Sequence, residues 1–338
     1  MNITTLGVDI AKNILQVHGV DHKGKKVINK AMTRKKLSEF IAKLPPCLIG
    51  MEACGGSNYW GQKFKELGHT VKLISPQFVK PYVKSNKNDM VDAEAICEAV
   101  TRPNMRFVAI KSKEQQDIQS MHKVRSRLVK EKTAIANQIR GLLLEHGITI
   151  PQGVGNIARI IPEVLENENN GLTKYGRELF ADLYEQFKHA SEKTEEYDRK
   201  IEILSNSIPI CKLLKKLPGI GALTATAIVS TVGDINVFKN GRELSAYLGI
   251  VPKQHSSGGK QRLLGISKRG DKYVRCLLVH GARAVLCRSK NLPENKIAWL
   301  KGLVIRRGMN RAIVALANKN VRTIWAIMHK GDDFVWEV

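Results

Sequence analysis

The sequence lacks several features that would steer it toward familiar classes. None of its 338 residues falls in an apolar run approaching the roughly 20 residues needed to cross a bilayer as a helix, so no membrane partner is expected. The opening stretch, MNITTLGVDIAKNILQV, has no basic flank followed by an apolar block and does not read as a secretion signal, which leaves a cytoplasmic location as the expectation. The six cysteines (Cys47, Cys54, Cys97, Cys211, Cys276 and Cys287) form no C-x-x-C pair, and the nine histidines are equally dispersed. That spacing argues against zinc and for reduced, mostly buried thiols. Low-complexity tracts are absent too. The clearest shortage is of acid: 31 Asp and Glu stand against 55 Lys and Arg, a formal net charge of +24.

A surplus of this size in a chain with an ordinary core is the electrostatic footprint of a polyanion partner. Hydrophobic residues make up 43% and charged residues 25%, as in other globular proteins, and 338 residues suffice for two or three domains without disulfides or a structural metal. The basic residues lie in several clusters flanking glycines, a distribution that suits nucleic acid.

Residues 1–111 alternate strand and helix patterns. Short apolar runs at 3–10 and 14–20, a third strand at 25–32, a helix at 35–44, a strand at 47–51, a helix at 59–67 closed by Gly68, and a strand at 70–74 make an α/β order. Residues 112–206 change character. Two long helical stretches, 113–147 and 172–208, flank a Gly/Pro/Asn-rich connection, and the second carries an apolar stripe of Leu179, Leu183, Phe187, Tyr197, Ile201 and Leu204. They read as a helical hairpin or coiled coil, whose stripe serves either as its own core or as a dimerisation arm. Residues 207–338 form a third, mostly helical unit. The expected class is therefore α/β plus all-α.

Four acids stand out in the first unit. Asp9 ends an apolar strand in Gly7-Val8-Asp9-Ile10, and Glu52 ends another in Gly50-Met51-Glu52. Asp89 and Asp92 open a helix three residues apart, so both can point the same way. Carboxylates from two strands and one helix can converge only if cations neutralise them. Two Mg2+ ions would do so while activating a nucleophile on phosphorus. Individually, Asp89 could be a helix cap and Glu52 a loop acid.

The third unit holds two glycine-marked motifs. Lys215-Lys216-Leu217-Pro218-Gly219-Ile220-Gly221 precedes an apolar helix and looks like a helix-hairpin-helix element. There Gly219 and Gly221 would expose backbone N–H groups to a phosphate, or the turn would be a plain connection. Further on, Ser256-Ser257-Gly258-Gly259 is ringed by Lys253, Lys260, Arg262, Lys268 and Arg269, a flexible basic loop suited to phosphate. No Ser-His-Asp arrangement accompanies these serines, so spacing alone does not make either a nucleophile. Trp299 and Trp325 could stack on bases, but core packing is the expectation for both.

The segments GVDIAK, IGMEACGGS and NKNDMVDAEAI resemble the N-terminal signature of the DEDD transposases, the insertion-sequence one-ten family, and the C-terminal unit agrees as well. The resemblance implies a RuvC-like, RNase H-type fold for residues 1–111, with Asp9, Glu52, Asp89 and Asp92 as the metal-binding acids. It also implies a catalytic serine in residues 207–338, where Ser257 matches and Ser256 is the neighbouring register. By the same resemblance, the serine attacks a scissile phosphate to give a phosphoserine link. Element and target DNA are bridged by a structured guide RNA, and strand exchange calls for a homodimer or tetramer in the bacterial cytoplasm, on the nucleoid when DNA is bound. Two other readings compete with this one. A RuvC-like structure-specific nuclease would use water and need no serine, and a nucleic-acid-binding protein without catalysis would use the acids structurally.

Overall fold

Alternation along the first apolar runs places one set of side chains on each face of a six-stranded sheet. In a computed structural model of the chain, which describes residues 2–84, 88–288, 294–331 and 334, this sheet has the order β3-β2-β1-β4-β5-β6. Asn86 and Lys87, which open the third resemblance segment, lie outside the described residues. Central β1 (Thr5–Asp9) pairs antiparallel with β2 (Ile14–Val20), which pairs antiparallel with β3 (Lys26–Thr33). After α1 (Arg34–Ala42), β4 (Leu48–Glu52) returns parallel to β1, with Gly7 opposite Gly50 and Val8 opposite Met51. Helix α2 (Ser57–Glu66), with Gly68 left-handed just past its end, leads to β5 (Thr70–Ile74), parallel to β4. Short α3 (Pro76–Val79), then α4 (Asp89–Val100), precede the antiparallel edge strand β6 (Phe107–Val108).

The two faces of the sheet are covered differently. Leu6, Val8, Ile49 and Met51 pack with Leu37 and Ile41 of α1 and Trp60 and Phe64 of α2. The opposite face, carrying Gly7, Asp9, Gly50 and Glu52, receives α4, whose Ala95, Ile96, Ala99 and Val100 are buried with Ile74 and Val79. Residues 1–115 and 232–239 make one compact unit, and residues 116–231 and 240–338 a second.

The second unit begins within the long helix α5 (Lys113–Glu145) and continues through α6 (Val154–Glu166) to α7 (Lys174–Ser207). Helices α5 and α7 run antiparallel. Arg125 pairs with both carboxylate oxygens of Asp198 toward one end, while Ile139 and Leu143 share a buried cluster with Phe180 and Leu183 toward the other. Two expectations need correction. The 147–171 connection contains a full helix, because Ile157 and Ile161 are four residues apart and both enter that cluster. The stripe on α7 is buried at Leu183, Phe187 and Ile201 and partly buried at Tyr197 and Leu204, as expected, but its first member is Phe180, with Leu179 half exposed.

After α8 (Pro209–Leu214), α9 (Ala222–Val232) and α10 (Gly241–Tyr247), the chain forms an antiparallel pair, β7 (Pro252–Gln254) and β8 (Leu263–Ile266). Helices α11 (Lys272–Cys287), α12 (Glu294–Arg307) and α13 (Met309–Lys330) complete the unit. Of the cysteines expected to be mostly buried, Cys47, Cys97 and Cys211 are, Cys54 is half buried, and Cys276 and Cys287 are exposed. Among the described residues no helix is long and apolar enough to cross a membrane.

His122 of α5 is buried with Nε2 3.0 Å from Thr226 Oγ1 and Nδ1 3.1 Å from Tyr273 Oη. Thr226 already donates its hydroxyl proton to the Ala222 carbonyl, so it accepts from Nε2–H and leaves Nδ1 to accept from the tyrosine. Burial, reinforced by the nearby Arg125 charge, lowers the His122 pKa to about 4 from its ordinary 6.5. A folded-state pKa below the unfolded one means that the stabilisation is complete above pH 6.5 and is lost as pH falls toward 4. The total is about 3 kcal/mol. Urea unfolding of the parent and of His122→Gln across this range checks it: the variant should be less stable at neutral pH and lose less on acidification. Parallel pH profiles would refute the account.

Candidate functional site

A glycine two residues before an acid in a strand shares its sheet face. Gly7-Val8-Asp9 and Gly50-Met51-Glu52 repeat this pattern on adjacent parallel strands, with Gly7 opposite Gly50 in register. The glycines form a flat seat. A Cβ on Gly7 would lie 2.2 Å from the Ala93 carbonyl oxygen and 2.5 Å from the Cys97 nitrogen, and one on Gly50 would lie 2.8 Å from Val100 Cβ. Backbone atoms cannot give way as a side chain can, so α4 reaches the sheet only because position 7 has no side chain.

The seat sets where the start of α4 falls. Asp89 and Asp92 occupy its first turn, and each places a carboxylate oxygen within 4.8 Å of the other's and of Asp9's. Asn88, not Asp89, caps the helix, its side chain accepting from Met90 N–H at 3.1 Å. Asp89 is therefore not spent on capping. Three carboxylates this close repel one another, and the partial positive charge of a helix N-terminus offsets only part of that repulsion. A set of hard oxygen donors from separate elements fits a divalent cation such as Mg2+, Mn2+ or Ca2+. Glu52 does not join the close trio. It ends the neighbouring strand on the same face, and both it and Asp9 act on one thiol: the Cys54 pKa is raised by burial first, then by the charges of Glu52 and Asp9. The paired G-x-D and G-x-E spacings were a readable signal for the seat, and the acids alone were not.

In the second unit the serine motif is a hairpin, not a flexible loop. Gly258 and Gly259 have φ of 55° and 75°, and Ser257 bridges to Lys260, whose N–H donates to the Ser257 carbonyl at 3.1 Å. Two central residues with positive φ are what a tight two-residue hairpin turn requires. Ser256 Oγ accepts from Gln254 Nε2 at 2.9 Å, whereas Ser257 Oγ has no hydrogen bond among the described residues. Lys253, Lys260, Arg262, Lys268 and Arg269 are all exposed around it.

The base of this hairpin is rigid. A Cβ on Gly249 would meet the Arg269 carbonyl oxygen at 2.1 Å, and one on Gly270 the Tyr247 carbonyl oxygen at 2.0 Å. Buried Arg275 donates to the Leu248 and Arg269 carbonyls at 3.1 and 2.8 Å.

The Pro218-Gly219 turn is held by packing. Gly219 abuts Gly281 of α11, and Asn320 of α13 donates to the Pro218 carbonyl at 3.0 Å. Gly221 and Lys216 are exposed, while the Lys215 ammonium is engaged by Glu202, Ser205 and Asn206 at 2.8, 3.1 and 2.7 Å. Of that pair, Lys216 is the one whose charge faces solvent.

Comparison with known proteins bears on both units. Residues 6–148 match a family described as "Transposase", and residues 211–297 match one described as "Transposase IS116/IS110/IS902 family". A protein of Coxiella burnetii named "Transposase for insertion sequence element IS1111A" is 46% identical over 98% of this chain and 92% of that relative. A Yersinia enterocolitica protein named "Transposase for insertion sequence element IS1328" is 39% identical over 98% of this chain and 99% of its own length.

Two expected outcomes follow from the seat and the trio. Saturating Mg2+ or Mn2+ should raise the melting temperature of the full chain, by the equivalent of about 2.7 kcal/mol at a hundredfold excess over Kd. Asp92→Asn should remove most of that shift, and an unchanged shift would place the cation elsewhere. Gly7→Ala should cost about 1–3 kcal/mol without metal and also abolish the metal-dependent shift, because α4 must move off the sheet. Differential scanning fluorimetry reads both.

Proposed function

Because this chain belongs to the IS116/IS110/IS902 transposase family, we propose that it moves an insertion sequence by cutting and rejoining DNA strands at a metal-bound acidic site with a serine nucleophile. The observation that carries the reading is the convergence of Asp9, Asp89 and Asp92 from one strand and one helix of an α/β unit. Family membership makes the protein a DNA-processing enzyme with a divalent-metal requirement. Its Mg2+ identity, a pair of ions, the fourth ligand Glu52 and an RNase H-like ancestry for residues 1–111 are parts of the proposal.

When bound, divalent cations would neutralise the acids and polarise a phosphodiester. The chain's own residues supply the rest. Ser257 Oγ, exposed at the hairpin tip with no internal hydrogen bond to break, forms a bond to phosphorus while a bridging P–O bond breaks. The serine proton is released, and the departing oxygen ends as a hydroxyl. Attack by another strand's hydroxyl on the phosphoserine link reverses the step and restores the serine. Ser256, tied to Gln254, positions the turn. Lys253, Lys260, Arg262, Lys268 and Arg269 draw the DNA phosphates toward the tip. The Lys216–Gly221 turn grips backbone further along, as a helix-hairpin-helix element would.

The helical stretch 112–206 serves as linker and dimerisation region and 207–338 as the transposase domain, because exchange needs two or more copies. A structured bridging RNA as second nucleic-acid partner is part of the same reading and accounts for a charge of +24.

The decisive test is a covalent adduct. Full-length protein with Mg2+ and DNA carrying an element end should yield a protein–DNA species whose mass maps to residues 253–262. Ser257→Ala and Asp9→Ala should each lower recombination on the order of a thousandfold or more, and Ser256→Ala far less. Cutting of branched DNA without any adduct, undiminished in Ser257→Ala, would replace this reading with a water-using nuclease.

A further inference from the structure

Trp299 and Trp325 are not core residues. Both are only partly buried, and both line a cavity of about 760 Å3 among α10, α12 and α13 in the second unit. A volume of this order is that of a small-molecule site. Its walls combine two chemistries. The indoles offer flat π surfaces: Lys319 Nζ sits 4.9 Å from the Trp299 ring centroid, and Trp325 stacks on His329 at 4.9 Å with 11° between planes. Arg242, Lys319 and Arg322 are exposed cations on the same walls, and among the described residues no carboxylate lines it and none of the three is in an ion pair.

The arrangement is also held in place. A Cβ on Gly241 would lie 2.8 Å from Arg322 Cα, so α10 and α13 touch backbone to backbone and fix Arg242 beside Arg322. Three unneutralised cations around one hollow repel one another until an anion enters. Indoles within the same hollow call for a planar aromatic group joined to that anion.

We propose that this cavity binds an unpaired nucleotide of a nucleic-acid strand, with Trp299 and Trp325 taking the base and Arg242, Lys319 and Arg322 the phosphate. A base within a duplex is stacked on its neighbours and cannot enter a hollow between helices, which selects a single-stranded or extruded nucleotide. On entry the base displaces Lys319 from the Trp299 face, and the freed ammonium turns to the phosphate. The site rests on the reading of the chain as a nucleic-acid-handling protein. It assigns to this hollow a grip on unpaired strand that is separate from the acidic trio and the serine hairpin.

The test uses the full chain with six-nucleotide DNA and RNA single strands, each carrying one 5-iodouracil, and the matching duplex. Irradiation should crosslink a peptide containing Trp299 or Trp325. By fluorescence anisotropy, Trp299→Leu and Trp325→Leu should each weaken single-strand binding about tenfold and leave duplex binding within about twofold. Trp299→Phe should retain most of the affinity. Arg322→Ala should lower the slope of log K against log salt by about 0.7.

The arm that meets these criteria, DNA or RNA, identifies the strand. Trp299→Leu should keep the metal-dependent rise in melting temperature of the parent, which separates this site from the recombination chemistry. Crosslinks confined to other peptides, or leucine variants with parental melting temperature and parental affinity in both arms, would overturn the proposal. If a leucine variant melts early, the crosslink map of the parent and the Trp299→Phe affinity decide.

Discussion

The candidate centre depends on one steric allowance: Gly7 and Gly50, side by side on parallel strands, let the backbone of α4 lie directly on the sheet. With any side chain at position 7 the helix would ride higher, and the first turn of α4 would lift away from the end of β1. The apolar partners of α4, from Ala95 to Val100, then hold it down. Packing along the rest of the helix thus offsets the repulsion among the carboxylates at its start. The acids are brought together by contacts they do not make themselves.

This division of labour explains what could be read in advance. Strand and helix periods were plain where one face is apolar and the other polar, so the expected runs between residues 3 and 74 lie within a residue or two of β1 to β5, α1 and α2. The acids were legible as types at strand ends and a helix start. They were also read as one metal-binding group; what went unread was the G-x-acid repeat that seats α4, whose meaning is steric and appears only when the two strands are neighbours. Helix α6 escaped because Gly155 and Pro162 are residues that usually break helices. Only the first position of the α7 stripe was missed, because Leu179 and Phe180 are both apolar and only the partner cluster around Leu143 selects between them. The tryptophans were misassigned to the core because period and composition do not register a cavity between helices.

Glycine plays the opposite part at the serine hairpin. At Gly249 and Gly270 the missing side chain lets segments interlock, with each absent Cβ aimed at a carbonyl about 2 Å away. At Gly258 and Gly259 nothing lies within 4 Å, and what matters is the positive φ that closes the turn. A locked base and a tight tip make a stiff projection, and the buried guanidinium of Arg275 fastens it to α11. Stiffness matters for the proposed chemistry, since a nucleophile held near its line of attack has less entropy to lose on the way to the transition state.

Charge ties these elements together. The chain carries +24 overall, yet three carboxylates cluster where a phosphodiester would react on the proposed reading. A phosphate drawn in by the basic surface would be repelled by Asp9, Asp89 and Asp92 at close range, because attraction summed over many distant cations is screened beyond roughly 10 Å while contact repulsion is not. Only a cation bound among the carboxylates reverses the local sign. Long-range capture and short-range reactivity are then under separate control. The basic surface acts on any nucleic acid, whereas the acidic centre accepts a phosphate only when loaded with metal. Raising the salt concentration should therefore weaken capture without altering what the loaded centre does to DNA already bound, a separation that single-turnover rates at increasing ionic strength would resolve.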